Sequence, residues 1–124
     1  MSKNLSELQL DVMRQIWSHK QATVAEVHAA LWPVRGLALT TVATVMNRLS
    51  RDGILARHRE GRTFVYSALI TESEVKRSAV RELLSRLFGG SPEALVSHLV
   101  TEGNVTPGAL EAVQAMLDEG DGDA

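Results

Sequence analysis

The hydrophobic pattern of the chain changes from a helical period to a period of two after residue 53, and this change constrains the fold more than any other feature. Before it, three short segments carry apolar residues three and four positions apart. After it come two β-prone runs, 54–59 and 62–67, joined around Glu60-Gly61. The second run alternates in the order Thr63, Phe64, Val65, Tyr66, Ser67. This alternation after a glycine-containing turn predicts a β-hairpin.

Capping boxes predict where the first two helices begin. Ser6 has a Gln three positions later and begins a helix expected over about 7–19. Thr23 has a Glu at the same spacing and begins a second helix, which Pro33 is expected to stop.

The third helix, TTVATVMNRLSRDG over 40–53, has one apolar and one polar face. Thr40 is its expected N-cap, and Gly53 stands at its C-terminal cap. At 100° per residue, the apolar face consists of Val42, Val45, Met46 and Leu49. The polar face contains Thr44, Asn47, Arg48 and Arg51. That face has no acid, whereas a solvated face usually mixes both signs, and Asn, Arg and Thr are residues that contact base edges.

The hairpin adds three arginines, Arg57, Arg59 and Arg62, which are expected on one tip beside the third helix. Arginines there are suited to phosphates or to the minor groove of DNA. Three helices followed by a hairpin predict a winged helix-turn-helix over residues 1–70, within a fold that is mainly α. Such a domain binds DNA or, as the alternative, docks its basic face on an acidic protein.

The net charge of −2 averages two unlike parts. Residues 1–70 hold nine Lys/Arg against five Asp/Glu, a formal charge of +4, whereas residues 71–124 hold four against ten, a charge of −6. This asymmetry indicates that the first part meets a polyanion and the second does not.

The second part, 71–119, is predicted to be a helical dimerisation domain. Its three helices begin at Thr71, Ser91-Pro92 and Thr106-Pro107. About 50 residues bury an apolar stripe poorly, so these helices either fold back on the first domain or pair with a second copy, which we favour. The expected dimer interface is Val80, Leu83, Leu84, Leu87, Phe88, Leu95, Leu99, Leu110, Val113 and Leu117. Residues 120–124 are expected to be a disordered tail.

Catalytic and metal-binding patterns are weak. Ser73 and Lys76 have Ser-x-x-Lys spacing, but the partner motifs of an acylating enzyme are missing. The chain has no cysteine, and its four histidines are widely spaced, so neither an enzyme nor a metal or cofactor is expected. No apolar run approaches the roughly 18 residues of a membrane span, and no signal peptide is expected, which predicts a cytoplasmic protein. A regulator with a small-molecule pocket stays open as another alternative.

Four segments resemble the penicillinase and methicillin-resistance repressor family of bacterial regulators. They are LSELQLDVMRQIW, TTVATVMNRLSRDGIL, RHREGRTFVYSAL and LLSRLFGGSPEALVSHLV, in matching order and spacing. The resemblance implies a homodimeric repressor in which each winged helix reads half of an inverted repeat on double-stranded DNA. By alignment the recognition helix carries Thr40, Thr41, Thr44, Asn47, Arg48 and Arg51, and the wing carries Arg57, Arg59 and Arg62.

The chain departs from the family pattern at two points. The resistance repressors are cleaved by a regulatory protease between an Asn and a Phe, whereas the aligned position here is His98-Leu99. A protease that selects Asn-Phe is therefore not expected to cut this chain. The copper-responsive relatives carry a C-terminal cysteine motif that a chain without cysteine lacks.

Overall fold

Three helices and a β-hairpin follow one another in the first part of the chain, in the order that the sequence predicts. The computed structural model describes residues 5–103, 106–109, 111–112 and 114–115. Its elements are α1 (Glu7–His19), β1 (Gln21–Ala22), α2 (Val24–Arg35), α3 (Leu39–Arg51), β2 (Leu55–Glu60), β3 (Thr63–Ala68), α4 (Glu72–Leu87) and α5 (Pro92–Glu102). The fold is mainly α with a small β-sheet, which confirms the predicted class.

Both predicted capping boxes are present at the first two helices. The Ser6 hydroxyl accepts from the N–H of Gln9 at 3.1 Å, and the N–H of Ser6 donates to the Gln9 amide oxygen at 3.0 Å. In the second box the N–H of Thr23 donates to the Glu26 carboxylate at 2.8 Å. This bond lowers the pKa of Glu26, so its contribution to stability is lost as the pH falls through that lowered value.

The prediction that Pro33 stops the second helix is wrong, because α2 continues to Arg35. Pro33 lies in the last turn, where its missing N–H removes only one bond of the helix. The helix ends at Gly36, which has the left-handed φ of +59° and donates its N–H to the Trp32 carbonyl at 2.9 Å.

The third helix begins earlier than predicted. Thr40 is not its N-cap, because Ala38 occupies that position and accepts the first helical bonds from the N–H groups of Thr41 and Val42. No side chain caps this end. At the other end Gly53 stops the helix as predicted, with its N–H bonded to the Ser50 carbonyl at 3.2 Å. The N–H of Ile54 donates to the Leu49 carbonyl, five residues back, and this second bond completes a Schellman motif.

Replacing Gly53 by Ala is expected to lower the free energy of unfolding by about 1 kcal/mol, because φ is +78° there and a Cβ disfavours this conformation. Urea denaturation of the purified variant measures the change. Gly108→Ala is the control, since the φ of Gly108 lies outside the left-handed region and a Cβ there meets no atom within 4 Å. Equal stability of Gly53→Ala and wild type would contradict the expectation.

The hairpin belongs to a three-stranded antiparallel sheet with strand order β1-β3-β2. The sequence did not predict β1, whose two residues are too few for a visible alternation. Ala22 of β1 lies opposite Tyr66 of β3. Both hairpin strands begin and end one residue later than predicted, because Glu60 pairs with Thr63 and only Gly61 and Arg62 form the turn. The left-handed φ of Gly61, +64°, fits this tight connection.

The core of the first unit is built from one face of each helix and from buried side chains of the sheet. Its buried side chains are Val12, Met13, Ile16, Ala22, Val27, Leu31, Val42, Met46, Leu49, Leu55, Val65, Tyr66 and Ile70. Each large apolar member contributes roughly 1.5–3 kcal/mol by burial. The buried residues of α3 come from its predicted apolar face, so its polar face points outward. The indole N–H of Trp17 donates to the Ile70 carbonyl at 3.0 Å and ties α1 to the chain beyond β3.

No single helix in the described ranges is long and apolar enough to cross a membrane. Among the described helices, only α2 and α3 taken together have the length and composition of a membrane span, and the chain bends by 119° between them. The core of the first unit buries Val27 and Leu31 of α2 and Val42, Met46 and Leu49 of α3, whereas Trp32, Val34 and Leu39 are exposed.

A second compact unit begins at Ser73 and contains nearly all of α4, together with α5. The helix α4 ends at Leu87, just before the predicted stop at the glycine pair 89–90, and Ser91 caps α5 as predicted by accepting from the N–H of Ala94 at 3.1 Å. The Thr106 hydroxyl likewise accepts from the N–H of Ala109 and caps the helical residues 107–109. The predicted interface residues Leu110, Val113 and Leu117, and the predicted tail, lie outside the described residues.

The described apolar side chains of this second unit are unevenly covered. Leu84 is only 6% exposed within the single chain, whereas Leu87 is 69% and Val100 is 56% exposed. No residue of α5 is buried. The other predicted interface residues, Val80, Leu83, Phe88, Leu95 and Leu99, are half-buried or exposed.

Candidate nucleic-acid interface

The outer face of α3 presents every residue that the sequence assigns to a recognition helix. All six are exposed: Thr40, Thr41, Thr44, Asn47, Arg48 and Arg51. The Thr44 hydroxyl donates to the Thr40 carbonyl at 2.9 Å, which orients its methyl group and leaves its oxygen able to accept. The first turn carries no acid, and its N–H groups have no side-chain cap. The helix therefore offers polar and cationic groups along its full outer face.

The hairpin presents a second cationic surface along β2 rather than at one tip. Arg57 and Arg59 lie on the same face of the strand because side chains alternate, and Arg62 lies in the turn. The prediction of a common tip is therefore wrong, since the two-residue turn leaves Arg57 three pairs from it. The ring of Phe64 lies between the two strand arginines, 4.3 Å from the Arg57 guanidinium carbon and 5.1 Å from that of Arg59.

The one acid of the hairpin is kept away from this arginine face. Glu60 alternates with Arg59 and so lies on the opposite side of β2, together with His58. The His58 Nε2 and the Glu60 carboxylate are 2.7 Å apart. The arginine face therefore keeps an unopposed positive charge.

A hydrogen-bonded cluster joins the recognition helix to the hairpin. The Asn47 side-chain oxygen accepts from the Arg57 guanidinium at 2.9 Å and from the Tyr66 hydroxyl at 2.8 Å. Tyr66 is 2% exposed, so the buried ring fixes one end of the cluster. Sequence reasoning missed the part that Tyr66 plays, because its partner Asn47 is nineteen residues away and no local spacing connects them.

An open notch of about 350 Å³ lies beside this cluster. It is lined by Asn47, Ser50, Arg51 and Arg57. Ser50 was not among the predicted site residues. Two guanidinium groups and a hydroxyl give the notch the donors that bind a phosphate oxygen.

The model of the penicillinase repressor family matches residues 5–119. The chain belongs to the penicillinase repressor family. This confirms the resemblance seen in the sequence, and it confirms that the chain is a regulator and not an enzyme. Within the described residues, no group of three His, Cys, Asp or Glu side chains is placed to hold a metal ion.

Relatives in the family match nearly the whole chain. The penicillinase repressor of Bacillus licheniformis is 28% identical over 115 residues, which are 93% of this chain and 90% of that protein. The methicillin resistance regulatory protein MecI of Mammaliicoccus sciuri is 23% identical over 115 residues, which are 93% of this chain and 94% of that protein.

Solved structures match about three fifths of the chain. The DNA-binding domain of the repressor BlaI superposes with a TM-score of 0.53 at 37% identity, covering 60% of this chain and 93% of that one. The monomeric form of B. licheniformis BlaI in complex with the blaP half-operator superposes with a TM-score of 0.52 at 35% identity, covering 60% of this chain and 90% of that one. These neighbours confirm the winged helix of this penicillinase repressor family member.

The pair His98-Leu99, which the family resemblance aligns with a cleavage site, lies within α5. His98 is exposed, and its ring is 5.9 Å from the ring of Phe88 between centroids. Leu99 is half-buried on the same helix.

Proposed function

We propose that this chain is a sequence-specific transcriptional repressor that binds an inverted-repeat operator on double-stranded DNA as a homodimer. The observation that carries the proposal is the acid-free outer face of α3 beside the arginine face of β2. Membership in a family of repressors, and the half-operator complex of BlaI, support the same function. The place of action is the cytoplasm, where bacterial operators lie.

The two surfaces have different tasks in this proposal. The α3 helix enters the major groove, where Thr41, Thr44 and Arg48 face base edges. Its uncapped first turn, next to Thr40, directs N–H groups at a phosphate. The wing contributes phosphate contacts through Arg59 and Arg62, and Arg51 adds one from the end of the helix.

The second unit supplies the dimer contact. Its acidic balance disfavours DNA, while Leu83, Leu87 and Val100 expose apolar surface that a soluble chain covers with a partner. A groove of about 310 Å³ along α4, lined in part by Leu83 and Leu87, gives such a partner a concave seat. The occupant in this proposal is the same unit of a second copy.

Titration of labelled DNA with the wild-type protein tests the function. The duplexes are the region upstream of the protein's own gene and a random sequence of equal length, and fluorescence anisotropy reports binding. The proposal expects the upstream duplex to bind roughly 10³-fold tighter or more, the lower range for specific DNA-binding proteins. Equal affinity for the two duplexes, after genome-wide mapping also found no preferred site, would refute sequence-specific repression.

Replacing Arg48 by Ala is expected to weaken operator binding by about 1–3 kcal/mol and to relax the preference for one base pair. An arginine donates two bonds to a guanine edge, and alanine leaves that edge without a partner. Anisotropy with operator duplexes substituted at each position measures the effect. Arg62→Ala is the comparison, because a turn arginine on a phosphate weakens all sequences alike. If Arg48→Ala lowered operator and random affinity equally, its role as a base reader would be wrong.

A further inference from the structure

The outer face of α3 contains one residue whose hydrogen bonds set it apart from its neighbours. The side-chain oxygen of Asn47 accepts two bonds, from Arg57 of β2 and from Tyr66 of β3. An amide oxygen has two lone pairs, so these two donors use its accepting capacity in full. Both donors belong to the hairpin, and the bonds therefore fasten the recognition helix to the wing.

This arrangement conflicts with base reading by Asn47. An asparagine that reads adenine uses its oxygen as an acceptor and its amide nitrogen as a donor on the same base. Turning the oxygen toward DNA would remove the partner of a tyrosine hydroxyl whose ring is 2% exposed. A buried hydroxyl without a partner is costly, so the bonds of the free protein are favoured over the reading geometry.

The same bonds hold Arg57 in a defined position. One guanidinium nitrogen donates to Asn47, and the guanidinium carbon lies 4.3 Å from the centroid of the Phe64 ring. A guanidinium has five N–H donors in a rigid plane, so several remain after one is used. An arginine that is already oriented loses less conformational freedom when it binds an anion.

The notch beside Arg57 has the chemistry of a phosphate site. Its lining brings two arginines, Arg51 and Arg57, together with the hydroxyl of Ser50. The described residues that line it include no acid. A DNA backbone phosphate matches this set in charge and in hydrogen-bonding type.

We propose that Asn47 is a positioning residue, which holds Arg57 for a backbone phosphate in this notch and does not read a base. The proposal rests on the DNA-binding function proposed above. It assigns Arg51, Arg57 and Ser50 to one phosphate at the junction of helix and wing, and it makes the wing's orientation depend on Asn47.

Anisotropy titrations of Asn47→Ala, Arg57→Ala and the double variant test this assignment, on operator and on random DNA at several salt concentrations. We expect each single variant to lose about tenfold in affinity, by the same factor on both duplexes. The slope of log affinity against log salt becomes less negative by about 1 per protomer, the value for one lost phosphate contact. The double variant binds as Arg57→Ala does, because the two residues act as one unit.

Asn47→Asp provides the variant that keeps the fold. Its carboxylate accepts both bonds, so the Tyr66 hydroxyl keeps a partner, but the negative charge opposes a phosphate. The proposal expects a loss by the same factor on both duplexes, whereas a base reader also loses its amide donor, so that operator affinity falls by a larger factor than random affinity. Arg48→Ala serves as the reference for that second behaviour.

The outcomes distinguish a failure of this inference from a failure of the DNA-binding function on which it rests. A loss confined to operator DNA, with an unchanged salt slope and additive effects of Asn47→Ala and Arg57→Ala, overturns the positioning role while DNA binding stands. Absence of wild-type binding to any duplex instead overturns the proposed function.

Discussion

Operator affinity is expected to fall roughly 10³-fold when the monovalent salt concentration rises from about 50 mM to about 200 mM. In each protomer, four arginines are placed on about three phosphates, because Arg51 and Arg57 share one and Arg59 and Arg62 each bind another. A dimer then contacts about six phosphates, and each contributes about −0.9 to the log–log slope, so that the slope lies near −5. The acidic second unit adds no contact and so leaves this slope unchanged.

Anisotropy titrations at four or five salt concentrations measure the slope directly. Arg62→Ala is expected to make it less negative by about 2, because a dimer loses two contacts. Arg35→Ala is the matched control, since that arginine of the first unit is bonded to Asp11 at 2.6 Å and is not among the four arginines placed on phosphates. A wild-type slope near zero would show that the arginine face does not bind phosphates, and the interface described here would be wrong.

Local sequence patterns predicted those parts of the fold that local bonds decide. The capping boxes at Ser6 and Thr23 involve residues three positions apart, and both helices begin where the boxes stand. The apolar period of α3 likewise identified its buried face, because every third or fourth residue meets the same core. These features are visible in a short window of sequence.

Features that depend on distant residues were not predicted. Thr40 has the side chain of a good N-cap, but the helix extends to Leu39 and Ala38 takes the cap. The strand β1 exists only because Gln21 and Ala22 pair with β3, more than forty residues later. Such elements are decided by tertiary contacts that no local pattern records.

The candidate site shows the same division. The exposure of the polar face of α3 follows from its period, but the bonds of Asn47 to Arg57 and Tyr66 join three elements. The separation of Arg57 from the turn depends on the register of the hairpin, in which Arg57 lies opposite Tyr66. Composition therefore indicated a cationic surface, and only the fold shows which cations share a notch.

Replacing Leu87 by Asp is expected to convert the dimer into a monomer and to weaken operator binding by between about 10² and 10⁴-fold. Leu87 is 69% exposed in the single chain, so the substitution removes little packing within a protomer. A carboxylate buried without a partner in an apolar contact is costly, which disfavours assembly. Two linked winged helices gain affinity because the second binds as an intramolecular event, and a monomer loses that gain.

Light scattering after size exclusion measures the oligomeric state, and anisotropy measures affinity for the full operator and for a half-site duplex. Leu69→Asp is the matched control, because Leu69 is 57% exposed and belongs to the first unit, whereas the proposed contact is made by the second. Leu84 is unsuitable for this test, since it is 6% exposed and a charge there would disturb the protomer itself. Half-site affinity should be the same for Leu87→Asp and wild type, because each winged helix is intact. A Leu87→Asp protein that stays dimeric with wild-type operator affinity would place the dimer contact elsewhere on the chain.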